Sequence, residues 1–107
     1  VQFEGEKAAI DSYFHSMYKR PENSSQSGLI RIRFMVNCKG ETGRFRLISS
    51  NNAYKPMKFS TEISDQLLEL TKELKGWKPM EMNTIEVDYY QYLVFRIVEG
   101  EITEILP

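Results

Sequence analysis

The chain has 107 residues, 41% of them hydrophobic, with a formal net charge of −1 at pH 7. That length fits one domain burying roughly two-thirds of its unfolded surface, and the near-neutral charge excludes a global pull toward nucleic acid or an anionic membrane. Cys38 is the only cysteine, which excludes an intramolecular disulfide and a cysteine-built metal cluster. No apolar run approaches the ~20 residues that span a bilayer, and no signal peptide is visible. Because the sequence begins at Val1 rather than Met, it is expected to be a single domain, 1–107, from a longer exported or membrane-anchored chain.

Residues 5–18 are expected to form an amphipathic helix. Ile10, Tyr13, Phe14, Met17 and Tyr18 follow the i, i+3, i+4, i+7, i+8 spacing of one stripe. Glu4 and Glu6 suit its positive end, Lys19 and Arg20 its negative end, and Pro21 stops it. His15 falls off the stripe and reads as solvated, since no second His or Cys offers a ligand set. A polar connector, ENSSQS, follows.

Gly28 to Ser50 carries the clearest pattern. Ile30, Ile32, Phe34 and Val36 alternate with Leu29, Arg31, Arg33 and Met35; beyond a turn, Phe45 and Leu47 alternate with Arg44, Arg46 and Ile48. Side chains alternate faces along a strand, so this is a hairpin with one greasy face and one arginine-bearing face. Gly40 and Gly43 are the residues expected to take positive φ in its turn. A second helix is expected over Thr61–Lys75, with Ser60 as N-cap, Ile63, Leu67, Leu70 and Leu74 on its apolar stripe, and Gly76 just past its end. A long third strand is expected over Ile85–Val98, with Ile85, Val87, Tyr89, Leu93, Phe95 and Ile97 inward. Glu99–Gly100 then turns the chain into a short strand, Ile102–Leu106.

The predicted fold is α+β: two helices on one face of a mainly antiparallel three- to four-stranded sheet, in the order α-β-β-α-β-β. A right-handed crossover through the second helix is satisfied by strand order 2-1-3-4.

Catalytic chemistry is not expected. The one histidine and the one cysteine lie on separate elements, the glycines lack a phosphate-loop context, and no acid/base carboxylate pair stands out. No cofactor and no metal are implied. Arg31, Arg33, Arg44, Arg46 and Arg96 should point away from the helices, with Tyr90 and Tyr92 among them. Basic groups interleaved with aromatics on an open sheet are used by single-stranded nucleic-acid binders. The favoured reading is a solvated face, with arginine stems covering the sheet and pairing with Glu86 and Asp88. Nucleic acid is therefore not the expected partner, and a polyanion is the alternative.

Taken in order, these stretches resemble the C-terminal domain of TonB, the energy transducer of Gram-negative bacteria. The similarity runs from about Ile10 to Pro107. It rests on the helix ending in YKRP (Tyr18–Pro21) and on GLIRIRFMVNCKGETGRFRLISS, which is similar to the family's G-x-V-x-V-x-F-x-V…G-x-V…S pattern. Leu67, Leu70 and the WKP of Trp77–Pro79 match its helix and aromatic-x-P turn, and LVFRIVEGEITEI (Leu93–Ile105) its closing strand. Two positions depart from the family: Lys19 and Arg20 separate Tyr from Pro, and Pro56–Met57 replaces a Leu-Asp approach to the second helix.

The resemblance implies a non-enzymatic periplasmic protein-interaction domain, anchored through upstream sequence and coupled there to an inner-membrane motor complex. It implies that a segment of an outer-membrane TonB-dependent transporter adds as an extra strand. Tyr90, Tyr92, Val94, Arg96 and Val98 on the third strand are then the expected contacts, with Tyr18 and Pro21 as a partial match to the family's Tyr-Pro segment. The same edge could pair two copies into a homodimer. The alternative within the family is an accessory domain of a lipoprotein or sensor that transduces nothing.

Overall fold

A computed structural model of the chain describes residues 3–106. Its elements are α1 (Glu6–Met17), β1 (Gly28–Val36), β2 (Thr42–Ser50), α2 (Thr61–Glu73), β3 (Met80–Met82), β4 (Ile85–Val87), β5 (Tyr89–Val98) and β6 (Glu101–Leu106). The main sheet has four strands in the order β2-β1-β5-β6, each pair antiparallel, and β3 and β4 form a separate two-stranded ribbon. The class is thus α+β with two helices and a mainly antiparallel sheet.

Alternation decides which face of the sheet is covered. Ile30, Ile32, Phe34 and Val36 of β1 and Leu93, Phe95 and Ile97 of β5 are all buried. They share one core with Ile10 and Phe14 of α1 and with Ile63, Leu67 and Leu70 of α2. Phe14 meets Phe95 edge-on, with ring centroids 4.8 Å apart. Fully burying each such side chain contributes about 1.5–3 kcal/mol, so this layer supplies most of the driving force for folding. Ile102 and Ile105 of β6 extend the core past β5.

The expected long strand over Ile85–Val98 is two strands. Tyr89 pairs with Val36, the last residue of β1, so anything earlier on the chain overruns its neighbour. Residues Ile85–Val87 instead pair with Met80–Met82 across a turn at Asn83 and Thr84, both with positive φ. Among the described residues the ribbon stays open to solvent at Met82 and Ile85, and Ile85, expected inward, is 65% exposed.

Four smaller expectations are also corrected. Met17, placed on the apolar stripe of the first helix, is about half exposed, because α1 ends there and Tyr18 turns extended. Ser60 holds the N-cap position of α2 but its side chain makes no cap bond; its N–H instead donates to Gln26 Oε1. α2 stops at Glu73 with Leu74 extended, short of Gly76. In the β1–β2 connection Gly40 has positive φ, whereas Gly43 already lies in β2 and Arg44 takes φ 53°. The register jumps there from Arg33↔Arg46 to Met35↔Gly43, so Arg44 and Phe45 together face Phe34. This is a β-bulge, which bends the strand and locally disrupts the ladder.

Three buried aromatics come from outside the periodic segments. Phe3 bridges to Trp77 and packs edge-on against it at 4.8 Å, Trp77 also meets Phe34 at 5.1 Å, and Phe59 seals the end of the core before α2.

Candidate functional site: an open sheet face and a partly covered strand

The face of the main sheet opposite the helices carries the residues singled out from the sequence. Register fixes their arrangement. On β1, Leu29, Arg31, Arg33 and Met35 stand between Ser50, Ile48, Arg46 and Gly43 of β2 and Arg96, Val94, Tyr92 and Tyr90 of β5. Arg31 lies over the Tyr92 ring at 5.1 Å and Arg33 over the Tyr90 ring at 5.0 Å. Each arginine therefore leans diagonally across the strand boundary onto an aromatic, a cation–π contact.

Carboxylates do not neutralise this cluster as expected. Glu86 sits on the ribbon opposite Glu81, and Asp88 is exposed in the gap before β5. The ion pairs among the described residues are Lys7–Asp11, Lys72–Glu69 and Arg96–Glu104, and none includes Arg31, Arg33, Arg44 or Arg46. Arg33 Nε is buried and has no hydrogen-bond acceptor among the described residues. Arg31, Arg33 and Arg46 line one depression of about 290 Å³ with Ile48 and Tyr92. Beside it lies a second depression of about 370 Å³, whose lining includes Leu29, Ile48, Val94, Tyr54 and Leu106 together with Arg31 and Arg96. Tyr54 reaches this face from the loop after β2, a contribution with no periodic signal in the sequence.

The strand edges are covered unevenly. β6 pairs with β5 from Val94 to Val98 only. Among the described residues, the stretch Tyr90–Leu93 of β5 has β1 on one flank and no strand on the other. Tyr90 and Tyr92, 49% and 38% exposed, lie at that stretch; Val94, Arg96 and Val98 lie where β6 already pairs. At the other edge, the loop after β2 covers the C-terminal end of that strand. Met57 N–H donates to Ser49 O at 3.2 Å, and Ser49 Oγ–H to Met57 O at 2.6 Å.

Tyr18 and Pro21 lie elsewhere. Tyr18 turns inward, and its hydroxyl donates to Gly100 O at 2.7 Å. Burial, the largest cause, pushes the Tyr18 pKa up to about 12. Arg20 Nε–H donates to Glu99 O at 2.7 Å, and Gly100 N–H donates to Gln26 O at 2.9 Å. The segment after α1 therefore clamps the β5–β6 turn. Pro21 is half-buried in the same segment. His15 and Cys38 are exposed, and no group of three or more metal-ligating side chains gathers among the described residues.

No family model, no curated protein and no solved structure matches the chain.

Proposed function

We propose that this chain is a non-enzymatic protein-interaction domain of the TonB C-terminal kind, which takes up an extended segment of an outer-membrane transporter by strand addition. On this reading it works in the periplasm and is joined, through sequence upstream of residue 1, to an inner-membrane motor complex. The observation that supports it is the flank of β5 at Tyr90–Leu93, which no strand among the described residues covers, at the end of a ten-residue strand that β6 pairs over Val94–Val98. An unpaired strand flank offers backbone donors and acceptors to an incoming chain, and alternate side chains then set specificity. With the β3–β4 ribbon set aside, the main-sheet order β2-β1-β5-β6 supports the expected strand order 2-1-3-4.

Main-chain pairing has a direct test. A synthetic octapeptide of alternating Thr and Val is titrated against the domain, alongside a twin N-methylated at every backbone nitrogen. Strand addition predicts amide chemical-shift changes centred on Tyr90–Leu93 with the first peptide and none with the second, because methylation removes the ladder donors. Equal response to both peptides, or changes confined to β2 or β6, removes the β5 flank as the docking site.

A further inference from the structure

We propose that the open face of the main sheet binds an amphiphilic phosphate monoester of the lysophospholipid type, with its head on Arg31, Arg33 and Arg46 and its hydrocarbon chain in the adjoining apolar trough. This goes beyond strand addition and does not depend on it.

The first ground is a local rule that the sheet breaks. Arg33 and Arg46 are directly opposite in the β1–β2 register, where side chains start roughly 4.5–5.5 Å apart and like charges repel. Arg31 adds a third positive charge two residues along the same face. All three line one depression whose other walls are Ile48 and Tyr92, with no carboxylate among them. Such an arrangement costs stability unless an anion occupies it.

The second ground is preorganisation. The Tyr92 and Tyr90 rings hold the Arg31 and Arg33 guanidinium groups, with Cζ 5.1 and 5.0 Å from the ring centroids, and Arg33 Nε has no acceptor among the described residues. Three guanidinium groups around one small depression suit a compact anion with several oxygens. A phosphate monoester supplies them, whereas a carboxylate has only two.

The third ground is continuity. Arg31 and Ile48 also line the larger depression, whose remaining walls include Leu29, Val94, Leu106 and Tyr54. Ile48 is 50% exposed and Tyr54 78% exposed, so apolar surface is left in water next to the positive seat. A head on the arginines delivers its attached chain over this surface. The same features disfavour two other occupants. A second copy docked face to face sets arginine against arginine, and the guanidinium stacks compete with nucleobases for the tyrosine rings.

Calorimetric titration of the whole domain tests this with octyl phosphate below its micellar concentration, compared with inorganic phosphate, octanoate and octyl glucoside. Octyl phosphate should bind at least about tenfold more tightly than each of the other three. Arg46→Glu, which stays folded because it sets opposite charges across the strands, should weaken octyl phosphate by more than about tenfold. Inorganic phosphate as tight as octyl phosphate removes the trough from the site. Octyl glucoside or octanoate as tight removes the phosphate seat. No binding of octyl phosphate, or unchanged binding by Arg46→Glu, overturns the proposal.

Discussion

The Tyr18 hydroxyl donates to the carbonyl of Gly100 at 2.7 Å, joining residues 82 positions apart in the chain. Through this bond the end of the first helix holds the last hairpin. Tyr18→Phe removes the bond and leaves the ring, so a loss of about 1 kcal/mol is expected, measured by chemical denaturation at neutral pH.

The same residue sets a pH dependence. Its folded pKa is raised to about 12 from an ordinary value of 10.0, chiefly by burial. A raised folded pKa means that the contribution is complete below the unfolded pKa and is lost as pH climbs through the folded one. Stability should therefore fall between about pH 10 and 12, and Tyr18→Phe should make that fall shallower. Tyr13 and Tyr89 are also raised by burial, so some slope persists in the variant. An alkaline limb identical in both proteins refutes the assignment.

Two glycines should respond in opposite ways. Gly100 has φ 81° in the β5–β6 turn, and a Cβ there would stand 2.6 Å from Ser24 Cβ. Gly100→Ala should cost at least about 1–2 kcal/mol from backbone handedness alone. Gly43 has nothing within 4 Å of its would-be Cβ, and Gly43→Ala should fall within about 0.5 kcal/mol of the parent or better. Melting curves of the two variants, measured side by side, decide the comparison.

Phe34 is fully buried and stacks at 5.2 Å on Phe45, with Trp77 edge-on at 5.1 Å. Phe34→Ala should cost about 3–5 kcal/mol through lost burial and the cavity left behind. A denaturation midpoint that implies less than about 1 kcal/mol would show that the surrounding rings collapse into the space.

Arg46→Glu should stabilise the domain. It replaces a like-charged pair with Arg33 by an opposite-charged one, worth roughly 0.2–1 kcal/mol on an exposed sheet face. The gain should shrink in high salt. A destabilised variant would mean that Arg33 and Arg46 do not face each other.

Local patterning in the sequence was enough to place both helices, the β1–β2 hairpin and the turn at Glu99–Gly100, because strand and helix periods are short-range properties. Alternation also put Arg31, Arg33, Arg46, Ile48, Tyr90 and Tyr92 together on one face before any contact was known. What it could not carry is length and cover. Where β1 ends decides that the chain breaks near Asp88 and that Ile85 joins an exposed ribbon. Where β6 pairs decides that Val94, Arg96 and Val98 have a neighbour while, among the described residues, Tyr92 has no strand on its outer flank. Phe3, Phe59 and Trp77 stand outside any periodic run, so only packing reveals them as core. Tyr18 read as the end of a helical stripe, yet the fold turns its hydroxyl onto Gly100. The physical reason is common to all of these: the face a side chain takes follows from its immediate neighbours in sequence, but its partner is set by segments tens of residues away, which meet only when the sheet closes.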